Sequence, residues 1–255
     1  MFLAKDATGA LAAIALAMAF GSATPAFAGP NSWRDVLFGD SHNKDDRRSP
    51  APPVARYATD DGARFVLDRS GGVTLMKFED SQEVFALSPS QAPRGDVIYR
   101  NDLGEPVLRA TRLGGLTLFY RARSGGTPAA LDGVAGTLRL QYLPPALLLQ
   151  KLAQASLRAS RAAQHLIEFD APDVVPGAQA VYADAAGVAA EAVVRMSKGA
   201  GGRAVLVRLK RIVLTNGRKG SASMKGSEIR VVINSHDGLA GRPSSDNIIM
   251  AAAKR

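Results

Sequence analysis

No cysteine occurs anywhere in the 255-residue chain. That excludes disulfides, thiolate metal sites, a cysteine nucleophile and the lipid attachment of a bacterial lipoprotein. Histidine is nearly absent as well, with only His42, His165 and His236. They are far apart in sequence, and no H-E-x-x-H occurs, so a zinc site is poorly provided for. No G-x-S-x-G elbow, EF-hand loop or G-K-[ST] phosphate loop is present. Gly199-Ala200-Gly201-Gly202 follows a helical pattern and reads as a helix cap and loop. Ser245-Asp246-Asn247 matches one element of penicillin-binding serine enzymes, but no S-x-x-K precedes it. Asp60-Asp61 and Glu79-Asp80 read as exposed turn carboxylates. Neither a cofactor nor a catalytic residue is expected from these motifs.

Aromatic residues make up 6% of the chain, and none follows Tyr182. The C-terminal quarter therefore has nothing on which nucleic-acid bases stack, and no nucleic-acid partner is expected. Basic charge, by contrast, is plentiful there. The formal net charge is +9, and the residues from Arg195 onward hold 13 Lys/Arg against Glu228, Asp237 and Asp246.

The first 28 residues have the three parts of a cleavable export signal. Lys5 supplies a short basic region, Ala10 to Phe20 an apolar run, and Ala26-Phe27-Ala28 a small-x-small cleavage site. The apolar run is shorter than the roughly 20 residues that span a bilayer. The expected localisation is periplasmic or secreted. Without disulfides, stability must come from an ordinary apolar core, and a hydrophobic fraction of 46% is adequate for one.

Residues 29–53 read as a flexible linker. Ser41 to Arg48 is charged without periodicity, and Ser49-Pro50-Ala51-Pro52-Pro53 is stiff and extended. Trp33 to Phe38 is the one apolar piece within it, able to dock on the domain itself. Residues 54–255 are expected to form a single α+β domain, with a sub-boundary near 143.

Residues 54–142 read as an antiparallel β meander or half-barrel. Arg64–Asp68, Val73–Phe78, Asp96–Arg100, Pro106–Arg109 and Leu116–Tyr120 are strand-like runs separated by glycine turns. At Pro144-Pro145 the period changes to helical. Leu148, Leu152, Ala155, Ala159, Ala163 and Leu166 predict one apolar stripe on a helix from Ala146 to about Phe169. Lys151, Gln154, Arg158, Arg161 and His165 follow the same steps on another face. A second helix is predicted from about Ala178 to Lys198, with Val181, Ala185, Val188, Ala192 and Met196 inward. Glu191 and Arg195 form an i, i+4 pair on it, and Gly199 is its expected C-cap. A basic β-hairpin follows, pairing Arg203–Leu214 with Glu228–Ile233 about an Asn216-Gly217 turn. Pro243 opens a short final helix, with Ser244 or Asp246 near its N-terminus.

The run from Gly95 to Thr117, GDVIYRNDLGEPVLRATRLGGLT, resembles a family of uncharacterised exported proteins of Gram-negative bacteria. Gly238-Leu239-Ala240-Gly241-Arg242-Pro243-Ser244-Ser245 resembles the same family's closing signature. The resemblance covers about residues 60–250. It implies export and a single unit, and carries over no activity and no catalytic residue.

The residues that carry a functional expectation are Arg208, Lys210, Arg211, Arg218, Lys219 and Arg230. On a strand Arg208 and Lys210 point the same way, because the side-chain period is two. The cluster would attract an anionic envelope polymer or lipid headgroup, less strongly as salt rises. A second reading is an envelope hydrolase using Asp96, Asp102 or Glu105 as acid and base. A third is an assembly or scaffold component docking through the Lys151–His165 face or the N-terminal arm.

Overall fold

Eight consecutive antiparallel strands run from Val54 to Val134, and the last pairs with the first. They are β1 (Val54–Thr59), β2 (Arg64–Asp68), β3 (Thr74–Phe78), β4 (Val84–Gln91), β5 (Val97–Arg100), β6 (Pro106–Ala110), β7 (Leu116–Leu118) and β8 (Thr127–Val134). Each pairs with its neighbour, and β1 pairs with β8, so the sheet is a closed up-and-down barrel. The structure, a computed structural model, describes residues 52–120 and 125–254. The expected export signal and the expected Trp33–Phe38 docking arm lie outside the described residues.

Alternation along the strands fills the barrel. Ala55 and Tyr57, Phe65 and Leu67, Met76 and Phe78, Phe85 and Leu87 are buried at every second position. Cross-strand register brings their rings together, stacked at Tyr57–Phe65 and edge-on at Phe65–Phe78 and Phe78–Phe85. Tyr57 lies opposite Phe65, and Phe65 opposite Phe78. Ring centroids run 5.6 Å from Tyr57 to Phe65, 6.0 Å from Phe65 to Phe78 and 6.3 Å from Phe78 to Phe85. Tyr120 completes the series, 5.2 Å from Phe85. An eight-stranded barrel has an interior just wide enough for side chains to fill, and here aromatic rings occupy it. The Tyr57 hydroxyl is buried among them with no hydrogen-bond partner. Nothing in the structure explains that hydroxyl.

The meander expected from the sequence is thus a closed barrel, with three strands that the pattern did not mark. β1 and β8 are rich in alanine and β4 contains Pro89. All three read poorly as strands by propensity. Pairing with neighbours rather than intrinsic preference holds them.

Residues 135–144 leave the barrel without regular structure and lead into the helical half. Asp68 ties this strap down. Its carboxylate accepts from the Thr137 hydroxyl at 2.7 Å and the Leu138 amide at 2.9 Å. It also accepts from the Ser70 amide and hydroxyl.

The second half is a four-stranded sheet with helices. Its elements are α1 (Pro145–Ala163), β9 (Glu168–Asp170), α2 (Gln179–Ser197), α3 (Ala200–Leu206), β10 (Arg211–Asn216), β11 (Ser221–Lys225), β12 (Glu228–Ile233) and α4 (Ser245–Ala253). The strand order is β11-β12-β10-β9. α1 and α2 pack against each other, and the inner faces of β10 and β12 complete the apolar core. The five residues expected to face inward on the second helix are all buried. No described helix is long and apolar enough to cross a membrane.

Four local expectations are corrected. The first helix ends at Ala163, because Gln164 takes a left-handed conformation (φ 64°). Leu166 is therefore exposed rather than part of the stripe, and Ile167 is buried in its place. His165 is off the helix, its Nδ1 3.0 Å from the Ala163 carbonyl oxygen and its Nε2 2.7 Å from that of Leu209. Gly199 does not cap α2 in a left-handed turn but precedes α3, so Arg203 to Leu206 is helix, not strand. Gly202 is forced there, since a Cβ would stand 2.2 Å from the Met196 carbonyl oxygen.

The basic hairpin is also rearranged. β10 and β12 are parallel, and the antiparallel partner of β12 is β11. The chain leaves β10, skips one strand position, and returns between through a turn at Gly226 (φ 60°). Glu191 and Arg195 do not pair with each other. Glu191 binds Arg158 on α1, and Arg195 binds Asp246.

Burial alone would raise the Asp68 pKa. The bonds from Ser70, Leu138 and Thr137 outweigh it and hold the carboxyl at about 2. A carboxylate whose pKa falls on folding stabilises the fold above its unfolded pKa, and that contribution is lost as pH falls through the folded value. The stability difference between the native chain and Asp68→Asn should therefore shrink by about 2 kcal/mol between pH 5 and pH 2. Urea denaturation at several pH values measures it.

Candidate functional site between barrel and helical layer

The two halves meet through charge. Three barrel groups face the junction: Glu83 between β3 and β4, Asp102 between β5 and β6, and Tyr120 just past β7. From the other half come Asp184 and Arg195 of α2 and the run Arg242 to Asn247. Arg242 is only 4% exposed. It donates to the Asp184 carboxylate, and at 2.7 Å to the Val84 carbonyl. Its third side faces Glu83 at 3.9 Å.

Glu83, 3% exposed, accepts from the Ser245 amide at 2.9 Å and from the Ser245 hydroxyl. That hydroxyl also accepts from Arg195 at 2.6 Å. Arg195 reaches on to one oxygen of Asp246, and the Tyr120 hydroxyl donates to the other at 2.6 Å. Asp102 accepts from the Ser244 amide at 2.8 Å and from the Asn247 side chain at 3.0 Å. Ser244 in turn caps α4 by accepting from the Asn247 amide at 3.1 Å.

The local sequence explains why the chain can enter this space. A Cβ at Gly241 would stand 1.9 Å from the Asn234 carbonyl oxygen, and one at Gly220 2.6 Å from the Gly241 carbonyl oxygen. Only glycine permits both approaches. Pro243 then precedes the Ser244 cap and is itself buried. Burial pushes the Glu83 carboxyl up, and the Arg242 guanidinium and the Ser245 bonds oppose it. Burial would lower Arg195, but Asp246 beside it holds it above its ordinary value.

Beside this junction opens a cleft of about 470 Å³. Asn101, Asp102, Arg218, Lys219, Asp237 and Asn247 line it. The six basic residues singled out from sequence are therefore not one patch. Arg218 and Lys219 sit in the turn after β10, at the cleft. Arg211 and Arg230 lie on the outer face of the sheet, paired with Asp170 and Glu228. In register, Arg211 stands opposite Glu168 on one side and Glu228 on the other. Arg208 and Lys210 precede β10, outside any strand. The same-side argument for that pair, which assumed a strand, does not apply.

The candidate acid–base carboxylates are held by different donors. Asp96 pairs with Arg109, which with the Arg112 amide keeps its pKa low. Glu105 accepts from the Asn101 side chain at 3.2 Å. Of the three only Asp102 lines the cleft. Among the described residues no group of three or more histidine or acidic side chains is placed to hold a metal ion.

Sequence reasoning missed Glu83, Asp184, Arg195 and Arg242 as a unit. One signal was available. Asp102 lies in the first stretch that carries the family resemblance and Ser244 in the second, and they bond to each other.

The fold and junction define a class of protein: an up-and-down barrel locked to an α/β layer by a buried ionic clamp. The chain belongs to the family described as Domain of unknown function (DUF4908), whose model matches residues 32–252. No curated protein and no solved structure matches it.

Removing Arg242 leaves one buried carboxylate, Glu83, and one half-buried, Asp184, without their counter-charge. Arg242→Met should cost about 3–5 kcal/mol, because breaking one side of a buried pair strands the other. Urea unfolding of the purified chain measures the loss. A cost below about 1 kcal/mol would show that the clamp contributes little.

Proposed function

We propose that this is an exported, non-enzymatic protein that binds a phosphate- or carboxylate-bearing envelope component at the cleft edge formed by Arg218 and Lys219. One observation carries the reading. Among the described residues neither of these two cleft-lining cations has a carboxylate within 4 Å, whereas Arg211 and Arg230 are already paired; the cleft's own acids, Asp102 and Asp237, accept from Ser244, Asn247 and Asn234. Unpaired cations beside a concave surface keep their full attraction for an anion, and the attraction weakens with ionic strength.

Export rests on the N-terminal leader. The family match begins at residue 32, just beyond the expected cleavage after Ala28, which is consistent with a mature chain that starts near Gly29. The hydrolase reading gains no support, since Asp96, Asp102 and Glu105 are each engaged elsewhere.

The test is co-sedimentation of the mature chain with phosphatidylglycerol vesicles at several salt concentrations. Reversing Arg218 and Lys219 to Glu together should weaken binding about tenfold or more at low salt, and less near physiological salt, where the Debye length is about 8 Å. Reversing Arg211 and Arg230 should have the smaller effect. Unchanged binding by the first double variant would end the reading.

A further inference from the structure

A second cavity borders the clamp at Glu83 and Asp184 and takes in Lys151, Gln154 and Arg158 of α1. It is a groove of about 430 Å³ between α1, α2, the strap residues 140–143 and the β3–β4 turn. That volume is within the range of small-molecule sites, roughly 300–1,000 Å³. Its apolar walls are Leu140 and Leu143 of the strap, Ala155 of α1, and Ala183, Gly187 and Val188 of α2.

Gly187 is the telling position. It sits in the middle of α2 without a positive φ. A Cβ there would meet nothing within 4 Å. At Gly202 and Gly241, by contrast, glycine answers a close approach of backbone. Here neither a turn nor packing requires it, yet glycine in a helix interior costs about 1 kcal/mol relative to alanine. What its bare backbone does is keep the groove open.

The charges around the groove point to the ligand. Glu83 and Asp184 share Arg242, and Glu191 pairs with Arg158. Lys151 alone among these has no carboxylate within 4 Å among the described residues. The walls offer no aromatic ring to stack on. Such a site fits a flexible apolar chain with one anionic end.

We infer that the groove binds a single-chain amphiphile, its acyl chain along Gly187 and its carboxylate paired with Lys151. This does not depend on the Arg218–Lys219 reading, and neither residue lines the groove.

Calorimetric titration of the purified full chain with decanoate, and with decanol as the uncharged counterpart, tests it. Saturable one-to-one binding of decanoate is expected. Gly187→Leu should weaken both ligands more than tenfold by displacing several methylenes, while the circular dichroism is kept and Tm holds or rises. Lys151→Gln, at an exposed position, should weaken decanoate about fivefold and leave decanol unchanged. The assignment is overturned by absent saturable binding, by a folded Gly187→Leu chain that binds as tightly as the native one, or by Lys151→Gln affecting both ligands equally. If Gly187→Leu does not fold, the Lys151→Gln comparison decides alone. Arg218→Glu with Lys219→Glu serves as control, and should leave decanoate binding intact.

Discussion

Arg242 is the constraint around which the two halves are organised. A guanidinium at 4% exposure has lost nearly all of its water. Such desolvation costs several kcal/mol unless counter-charges and acceptors replace the solvent. The replacements come from both sides of the junction: the Val84 carbonyl and Glu83 from the barrel, Asp184 from α2. The arrangement is satisfied only when barrel and helical layer meet in one relative placement. A purely apolar seam would not be so exacting, because apolar contact is non-directional.

The apolar contribution to that seam is in fact small. The barrel has its own core of packed rings, and the α/β half has another centred on α2 and β10. Between them, among the described residues, Leu75, Val84 and Leu239 form a small buried cluster, with Ala86 and Leu138 beside it. Two complete cores joined by so little would otherwise behave as separate domains. The clamp and the Asp68-anchored strap supply the directionality that the seam lacks. The same construction leaves space at its margins. Where Gly220 and Gly241 bring backbones close, the cleft with Arg218 opens. Where the strap crosses α1 and α2, the Gly187 groove remains.

Patterns that depend on neighbours in sequence were readable, and those that depend on neighbours in space were not. The inward positions of α2 followed from periodicity, and Ser244 was visible as a candidate cap. Five barrel strands showed their alternation. β1, β4 and β8 did not, because alanine, proline and serine within them carry no strand preference and only ring closure defines them. The basic hairpin failed for a related reason. β11 reads SASMK, an alternation of small and polar residues with no strand signature of its own. Without it, β10 and β12 looked like consecutive strands, and consecutive strands with a short turn are antiparallel. Once β11 takes the outer position, β12 must run parallel to β10.

This topological change alters the meaning of the C-terminal charge excess. A count along the chain treats every cation after Arg195 as available, but a parallel sheet sets Arg211 between Glu168 and Glu228 and carries Arg230 past Glu228. Glu168 and Asp170 lie outside the counted segment and are brought in by β9. Arg242 is buried against Glu83 and Asp184, and Arg195, half-buried, is taken up by Asp246 of α4. Net charge is a property of composition, whereas attraction for a partner depends on which cations the fold leaves unanswered. Among the described residues Arg208 and Lys210 also stay unpaired before β10, but of the unpaired cations in the basic segment it is Arg218 and Lys219, in the turn after β10, that line the cleft. Lys151, in the half of the chain where the formal charges cancel, becomes as significant as any residue in the cationic tail.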